Sequence, residues 1–212
     1  LRERCSGYDV GYTEDGGSEI FLEDHPSLSR LEEVNDLLAP IFGCAAFTQR
    51  NDLIAAYGLS PSVSTLMFTP FEGTLHSGKL IAALWDLATR AGVHIRTGAE
   101  VVTMRDTHTS VELNVRTAHQ DILITASQTV VATNAMIPSL VPAATLPEIL
   151  PGRGQVIVTK PLTNLKLKGS FHADEGYYYF RSVGNRVLLG GGRNLDFVGE
   201  RTTSHQTTEH IQ

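Results

Sequence analysis

Three short stretches of the 212-residue chain carry side chains, or lack them, in patterns that could support chemistry. The first is Leu188-Leu189-Gly190-Gly191-Gly192-Arg193. Three consecutive glycines strip a strand end of side chains, so that a planar ligand or a second stretch of backbone can approach closely. A bulge or a sharp exit from a sheet calls for the same residues. The second stretch is Tyr177-Tyr178-Tyr179-Phe180. On a strand, Tyr177 and Tyr179 share one face and Tyr178 and Phe180 the other. Two phenols on one face suit a pocket for a carboxylate or an amine; core on one face and an interface on the other is the alternative, since tyrosine favours strands. The third is Val130-Val131-Ala132-Thr133-Asn134-Ala135, an apolar strand ending in small and polar residues. Open α/β sheets place ligand crevices at such strand ends, and an ordinary strand-to-helix connection capped by Asn134 has the same composition.

Other chemistry has little support. Eight histidines show no metal-ligand spacing, and His205 and His210 lie in a polar tail. Lys160 and Lys166 are isolated, and neither G-x-S-x-G nor a P-loop occurs. No G-x-G-x-x-G follows a strand, so no pyrophosphate cradle is assigned. The net charge of −6, from 17 Lys+Arg against 23 Asp+Glu, argues against a nucleic-acid partner. At 42% hydrophobic residues the chain can build a core, yet no apolar run approaches the roughly 18 residues of a membrane span. The start, Leu1-Arg2-Glu3-Arg4-Cys5, lacks the apolar segment of a signal peptide. Cys5 and Cys44 are too few for a disulfide scaffold. A cytoplasmic setting is expected.

The elements that must position these stretches follow from periodicity. Tyr8–Tyr12 and Ser18–Leu22, joined through Asp15-Gly16-Gly17, predict a β-hairpin. Leu28, Leu31, Val34, Leu37, Leu38 and Ile41 recur at helical spacing and predict a helix over 27–42 that ends at Gly43. Residues 44–73 are loop-rich, with one short strand near Ala45–Thr48. Ser77 reads as the N-cap of a helix whose stripe is Leu80, Leu84, Leu87, Ala88 and Ala91, stopped by Gly92 and followed at once by a strand, Val93–Arg96. Glu100–Arg105, Ser110–Arg116 and Asp121–Thr125 alternate and predict an antiparallel meander. Thr129–Thr133 is apolar throughout its centre, as a strand covered on both faces should be.

Pro138, Pro142, Pro147 and Pro151 mark a linker with a short helix at 135–141. Beyond it, Gln155–Thr159, Tyr177–Arg181 and Arg186–Leu189 predict strands, the last two joined as a tight hairpin through Val183-Gly184-Asn185. Residues 202–212 are polar and carry no stripe to bury. The expected class is α+β: a mixed, mostly antiparallel sheet from 1–70 and 143–195 backed by the 27–42 helix, beside a unit of helix, β-meander and buried strand.

Taken in order, these segments resemble the FAD-dependent D-amino-acid oxidase-like family, which includes glycine, sarcosine and γ-glutamylputrescine oxidases. Gly73-Thr74-Leu75-His76-Ser77-Gly78-Lys79-Leu80 resembles the family's turn into a helix that ends at Ala91-Gly92-Val93. Gly98-Ala99-Glu100-Val101 is similar to its G-x-x-V strand, whose valine backbone faces the adenine. Thr129–Asn134 is similar to the V-x-A-T-G strand end near the cofactor, with Asn134 in place of Gly. Pro151-Gly152-Arg153-Gly154-Gln155-Val156 resembles the strand that re-enters the substrate domain, and Tyr177–Gly192 the hairpin flanking substrate and isoalloxazine.

The resemblance implies a flavoenzyme that oxidises a C–N bond of a small amino acid or amine by hydride transfer to FAD. It implies substrate contacts from Tyr177, Tyr179 and Arg193, whose guanidinium can grip a carboxylate bidentately. Cofactor contacts fall to Val101, Ala132, Thr133, Asn134, Gly190 and Gly191. No general base stands out. Residues 1–73 correspond to a first lobe of the substrate domain, 74–142 to the middle of the FAD domain and 143–212 to a second substrate-domain lobe. The family's N-terminal diphosphate-binding unit and C-terminal Gly-rich segment have no counterpart here, so the chain is expected to be a fragment of about half the family's length. FAD then belongs to the full-length parent; the fragment alone is expected to hold none and to be inactive. Unpaired edges at Val93–Arg96 and Val130–Ala132 invite non-physiological self-association. Alternatives are a hydroxy-acid or glycerol-3-phosphate dehydrogenase on the same fold, or a non-catalytic binding module.

Overall fold

The structure, a computed structural model, describes residues 5–142 and 149–211. The expected lobe boundary at 143, the linker residue Pro147, the terminal residues 1–4 and Gln212 lie outside the described residues. The chain divides into two compact units: one takes in Leu1–Leu87, Gly154–Asp196 and Thr207–Gln212, the other Ala88–Arg153 and Phe197–Gln206.

The first unit is built on a seven-stranded mixed sheet in the order β2-β3-β1-β8-β9-β10-β7. Its strands are β1 (Gly17–Phe21), β2 (Thr48–Gln49), β3 (Thr65–Thr69), β7 (Gln155–Val158), β8 (Ser170–Ala173), β9 (Tyr178–Val183) and β10 (Arg186–Gly191). β1 and β8 run parallel, and the other pairings are antiparallel, as the sequence led us to expect. One sheet face carries the core. Ile20, Leu66 and Phe171 sit on it beside Val63, and Leu66 and Phe171 are wholly buried. The Phe171 ring stacks on Phe180 (centroids 4.8 Å apart, planes 8° apart) and meets Tyr57 edge-on at 5.7 Å. Such ring pairs add to the apolar burial itself.

Several expectations are corrected here. The 27–42 helix forms as a 3₁₀ turn, Pro26–Arg30, running into α1 (Leu31–Phe42), and Gly43 closes it at φ +74° with its N–H on the Ala39 carbonyl. This helix does not back the sheet: none of its residues is buried, and Leu37 and Ile41 are about three-quarters exposed. The core is covered instead by α2 (Asp52–Ala56) and the segment after it, through Leu53, Ile54, Tyr57, Leu59 and Val63.

The 8–22 hairpin does not form. β1 finds its partners in β3 and β8, because only that pairing puts Ile20 into the core. Residues 10–16 run beside 72–76 instead, through His76 N–H to the Val10 carbonyl, a reciprocal Thr13–Thr74 pair and Gly16 N–H to the Glu72 carbonyl. Gly16 takes φ +76°, and the position of a Cβ there is filled by the Phe68 ring. β3 and α2 form within the stretch expected to be loop-rich, and β8 forms where the sequence carries no strand signal. α3 (Ser77–Arg90) matches expectation, although the first-turn amide of Lys79 is capped by His76 Nδ1 rather than by the Ser77 side chain.

The second unit contains the meander as expected: β4 (Ala99–Asp106), β5 (Val111–Thr117) and β6 (Asp121–Ala126), with a bulge between Val101 and Thr103. Two expected strands are absent. Val93–Arg96 follows α3 as irregular chain, and Thr129–Thr133 is unpaired, with Val130 89% exposed. Its run of apolar side chains signals a strand covered on both faces, but among the described residues no strand lies alongside it. Asn134 is not a cap: it lies in the 3₁₀ turn Asn134–Ser139 at φ +49°. The turn stands where a short helix was expected over 135–141.

The tail is anchored more firmly than its polarity suggested. Within the second unit Glu200 is 1% exposed and receives a two-point grip from Arg153 (Nε–Oε2 2.8 Å, Nη2–Oε1 2.6 Å). Within the first, Gln155 bonds both the Thr208 hydroxyl (2.7 Å) and its amide (3.1 Å). His205 and His210 are exposed, as expected. Among the described residues no helix is long and apolar enough to cross a membrane.

Two outcomes follow for urea unfolding. Phe171→Ala should lower stability by about 3–5 kcal/mol, because the wholly buried ring packed on Phe180 and Tyr57 would leave a cavity. Glu200→Gln should cost about 3–5 kcal/mol, since it strands a nearly buried guanidinium.

Candidate active site

The face of the first unit's sheet opposite the core holds a row of polar side chains. Core packing sets it: Ile20, Phe171 and Phe180 point inward, so the adjacent Glu19, His172 and Tyr179 point to the other face. These three are direct partners across β1, β8 and β9: Glu19 opposes His172, and His172 opposes Tyr179. Tyr179 in turn opposes Gly190 on β10. Directly opposed residues in a sheet bring their Cβ atoms within about 5 Å. A carboxylate, an imidazole and a phenol thus stand side by side, bordered by a position without a side chain.

The neighbouring row is covered. Glu72 lies over Gly17, its carboxylate where a Gly17 Cβ would be, and accepts a hydrogen bond from the Ser170 hydroxyl at 3.0 Å. Arg181 donates to the Leu75 carbonyl at 2.8 Å. The 72–75 segment therefore roofs one row and leaves the Glu19–His172–Tyr179 row open, where His172 is exposed and Tyr179 is 37% exposed. At the ends of β1 and β8 a cavity of about 620 Å³ is lined by Glu19, Phe21, His25, Asp174, Glu175 and Tyr178 among others.

The residues expected from sequence fall in both units. Tyr177 stands just before β9, with its ring partly exposed, its N–H on the Asp174 carbonyl and its own carbonyl taking the Gly192 N–H at 3.0 Å. Tyr179 is in the open row. The bareness of Gly190 is used by the Tyr179 ring, which lies 2.5 Å from where a Cβ would stand. At Gly191 a Cβ would strike the Tyr177 carbonyl. Arg193 is off the row, opening a 3₁₀ turn, Arg193–Leu195, after Gly192. On the core face Gly190–Gly192 border a smaller cavity of about 170 Å³ with Tyr178, Ile157 and Ile211.

Val101, Ala132, Thr133 and Asn134 lie in the second unit. Val101 adjoins the bulge of β4, and Ala132, Thr133 and Asn134 are exposed. Sequence reasoning passed over Glu19, His172 and Glu72. The alternation Gly17-Ser18-Glu19-Ile20-Phe21 could have revealed Glu19 as an outward carboxylate. His172 sits on a four-residue strand with no periodic signal.

A model of the FAD dependent oxidoreductase family DAO matches residues 1–212. The chain belongs to that family. Solved structures agree on the fold. Glycine oxidase from Geobacillus kaustophilus superposes with a TM-score of 0.70 at 20% identity, over 98% of this chain and 54% of its own. L-proline dehydrogenase from P. horikoshii gives 0.75 at 15% identity, over 99% and 56%. L-amino acid deaminase from Proteus myxofaciens gives 0.64 at 17%, over 91% and 43%. The chain therefore spans about half the length of these solved relatives. No curated protein sequence matches.

The DAO family's cofactor can be tested against the second unit. The Thr129 hydroxyl is buried without a hydrogen-bond partner among the described residues, at the head of the unpaired Val130–Thr133 segment. Asn134, at the position where the family pattern has glycine, holds the left-handed backbone that glycine adopts freely. An orphaned hydroxyl beside a segment with no strand partner is compatible with a polar group of such a cofactor.

Burial pushes the Glu19 carboxyl above the ordinary carboxylate range; Glu72 adds to this, while His172 and His25 oppose it. A raised folded-state pKa means the native protein binds more protons than the unfolded chain between the two pKa values, so this group's contribution falls as pH rises through that window. Glu19→Gln should flatten that fall and leave the protein more stable than wild type at neutral pH. Thermal unfolding midpoints of both proteins from pH 4 to 8 check this.

Proposed function

We propose that this chain is the larger part of the substrate domain, with the middle of the FAD domain, of a flavoenzyme that oxidises the C–N bond of an amino acid or amine. The observation that carries the reading is the open Glu19–His172–Tyr179 row, with hydrogen-bonding groups suited to a small zwitterion or amine. The relatives' names, which specify glycine, L-proline and L-amino acids, support the same substrate class.

FAD supplies the hydride acceptor. Val101, Ala132, Thr133 and Asn134, with Gly190 and Gly191, are the residues proposed to hold it. Tyr177 and Tyr179 orient the substrate through their phenols, and Arg193 is proposed to take a substrate carboxylate. Residues 1–73 and 143–212 form the two lobes of the substrate domain, and 74–142 belong to the FAD domain. The setting is cytoplasmic and the partner a small molecule; neither expected strand edge forms, so any self-association of the isolated chain there would draw on exposed apolar side chains such as Val130 and have no physiological role.

The test is anaerobic flavin bleaching of the full-length protein with amino acids, amines and hydroxy acids. Bleaching by the first two classes supports the reading, and bleaching by hydroxy acids alone overturns it. Tyr179→Phe keeps the ring over Gly190 and loses one hydrogen bond worth about 1 kcal/mol, so kcat/KM should fall roughly fivefold. The 212-residue chain by itself should purify without a flavin spectrum and be inactive.

A further inference from the structure

We propose that the outer edge of β7 is a dimerisation surface, on which a second copy of this chain adds its own β7 antiparallel across a twofold axis at Ile157. The inference goes beyond the reading above and needs no assumption about the reaction.

β7 is the last strand of the seven-stranded sheet and has one neighbour, β10; among the described residues no strand lies along its other edge. In an antiparallel pair a residue's N–H and C=O point to the same side, and successive residues alternate. The Thr159 N–H bonds the Val187 carbonyl at 2.9 Å, so Ile157 and Gln155 also turn their backbone toward β10. Val156 and Val158 therefore turn theirs outward. Val156, Ile157 and Val158 each leave about half of their surface in water. An apolar strand with free backbone groups is a template for another strand.

The two edges of the sheet differ. β2, at the opposite edge, is two exposed polar residues long and is followed by the Arg50–Asp52 ion pair, features that blunt an edge. β7 carries no charge from Gly154 to Thr159. With one usable edge per chain, pairing closes at two copies and cannot propagate.

The β7 sequence suits its own copy. With Ile157 on the axis, the outward-facing Val156 meets Val158 of the second copy, and the reverse, giving about four backbone hydrogen bonds. Ile157 then opposes itself in the closer, non-hydrogen-bonded kind of pair, with its side chains in contact. Lys160 falls opposite Gly154, so no like charges face each other, although each chain carries a net charge of −6. Pro161, lacking an N–H, ends the ladder. Pairing also reaches the candidate site. Val156 opposes Gly190, next in line after Glu19, His172 and Tyr179, so Val158 of the second copy extends that row.

The test is sedimentation velocity of the full 212-residue chain over a wide range of concentration. The mass should rise from one chain to two and no further. Ile157→Lys sets two like charges face to face and should weaken the dimer about tenfold or more. Ile157→Glu should do the same, and an equal mixture of the two variants should restore the dimer, because opposite charges then meet on the axis. Thermal unfolding confirms that the variants are folded. Val158→Pro removes an outward N–H that β10 does not use, and should weaken the dimer without relying on any change at Ile157. A monomer at every concentration, growth beyond two copies, a mixture that stays monomeric, or a dimer indifferent to Ile157 and Val158 overturns the proposal. A chain that dimerises through Ile157 while the full-length protein is monomeric puts another segment of that protein on β7, and overturns it equally.

Discussion

The packing of Phe171 between Phe180 and Tyr57 is the constraint on which the first unit depends. It joins β8 and β9 and fixes their register. Because side chains alternate strictly along a strand, a slip of one residue would exchange the two faces. Burying Phe171, Phe180 and Ile20 therefore turns His172, Tyr179 and Glu19 outward together. The polar row is a by-product of core packing, and its geometry is as firm as the core.

Polar contacts then decide which part of that face stays open. Glu72 fills the space above Gly17 and bonds Ser170, and Arg181 holds the Leu75 carbonyl, so the 72–75 segment covers one row and stops short of the next. The glycines of β10 belong to the same design. Gly190 admits the Tyr179 ring and Gly191 the Tyr177 backbone, and a side chain at either would push the hairpin apart.

The second unit has a different character. Its meander is regular, yet β6 exposes Ile122, Leu123 and Ile124, and Val130 stands 89% exposed on an unpaired segment. The Arg153–Glu200 grip shows, by contrast, what an internally completed site looks like: a nearly buried carboxylate with its cation in place.

Much of the fold is legible in the sequence. Periodicity located α1, α3, the meander and the β9–β10 hairpin, and motif order pointed to the family. Patterns of this kind are local, and local patterns survive in any context. What failed depended on partners distant in the chain. Thr129–Thr133 has the composition of a covered strand but no neighbour to pair with. Residues 8–12 have hairpin chemistry but lost β1 to β3 and β8. His172 lies on a strand of four residues, too short for a period to show. The sequence by itself determined which residues are apolar, where turns fall and which family they spell out. Only the tertiary structure decided that Glu19, His172 and Tyr179, far apart in the chain, stand shoulder to shoulder, because that adjacency arises from strand order and register and not from spacing along the sequence.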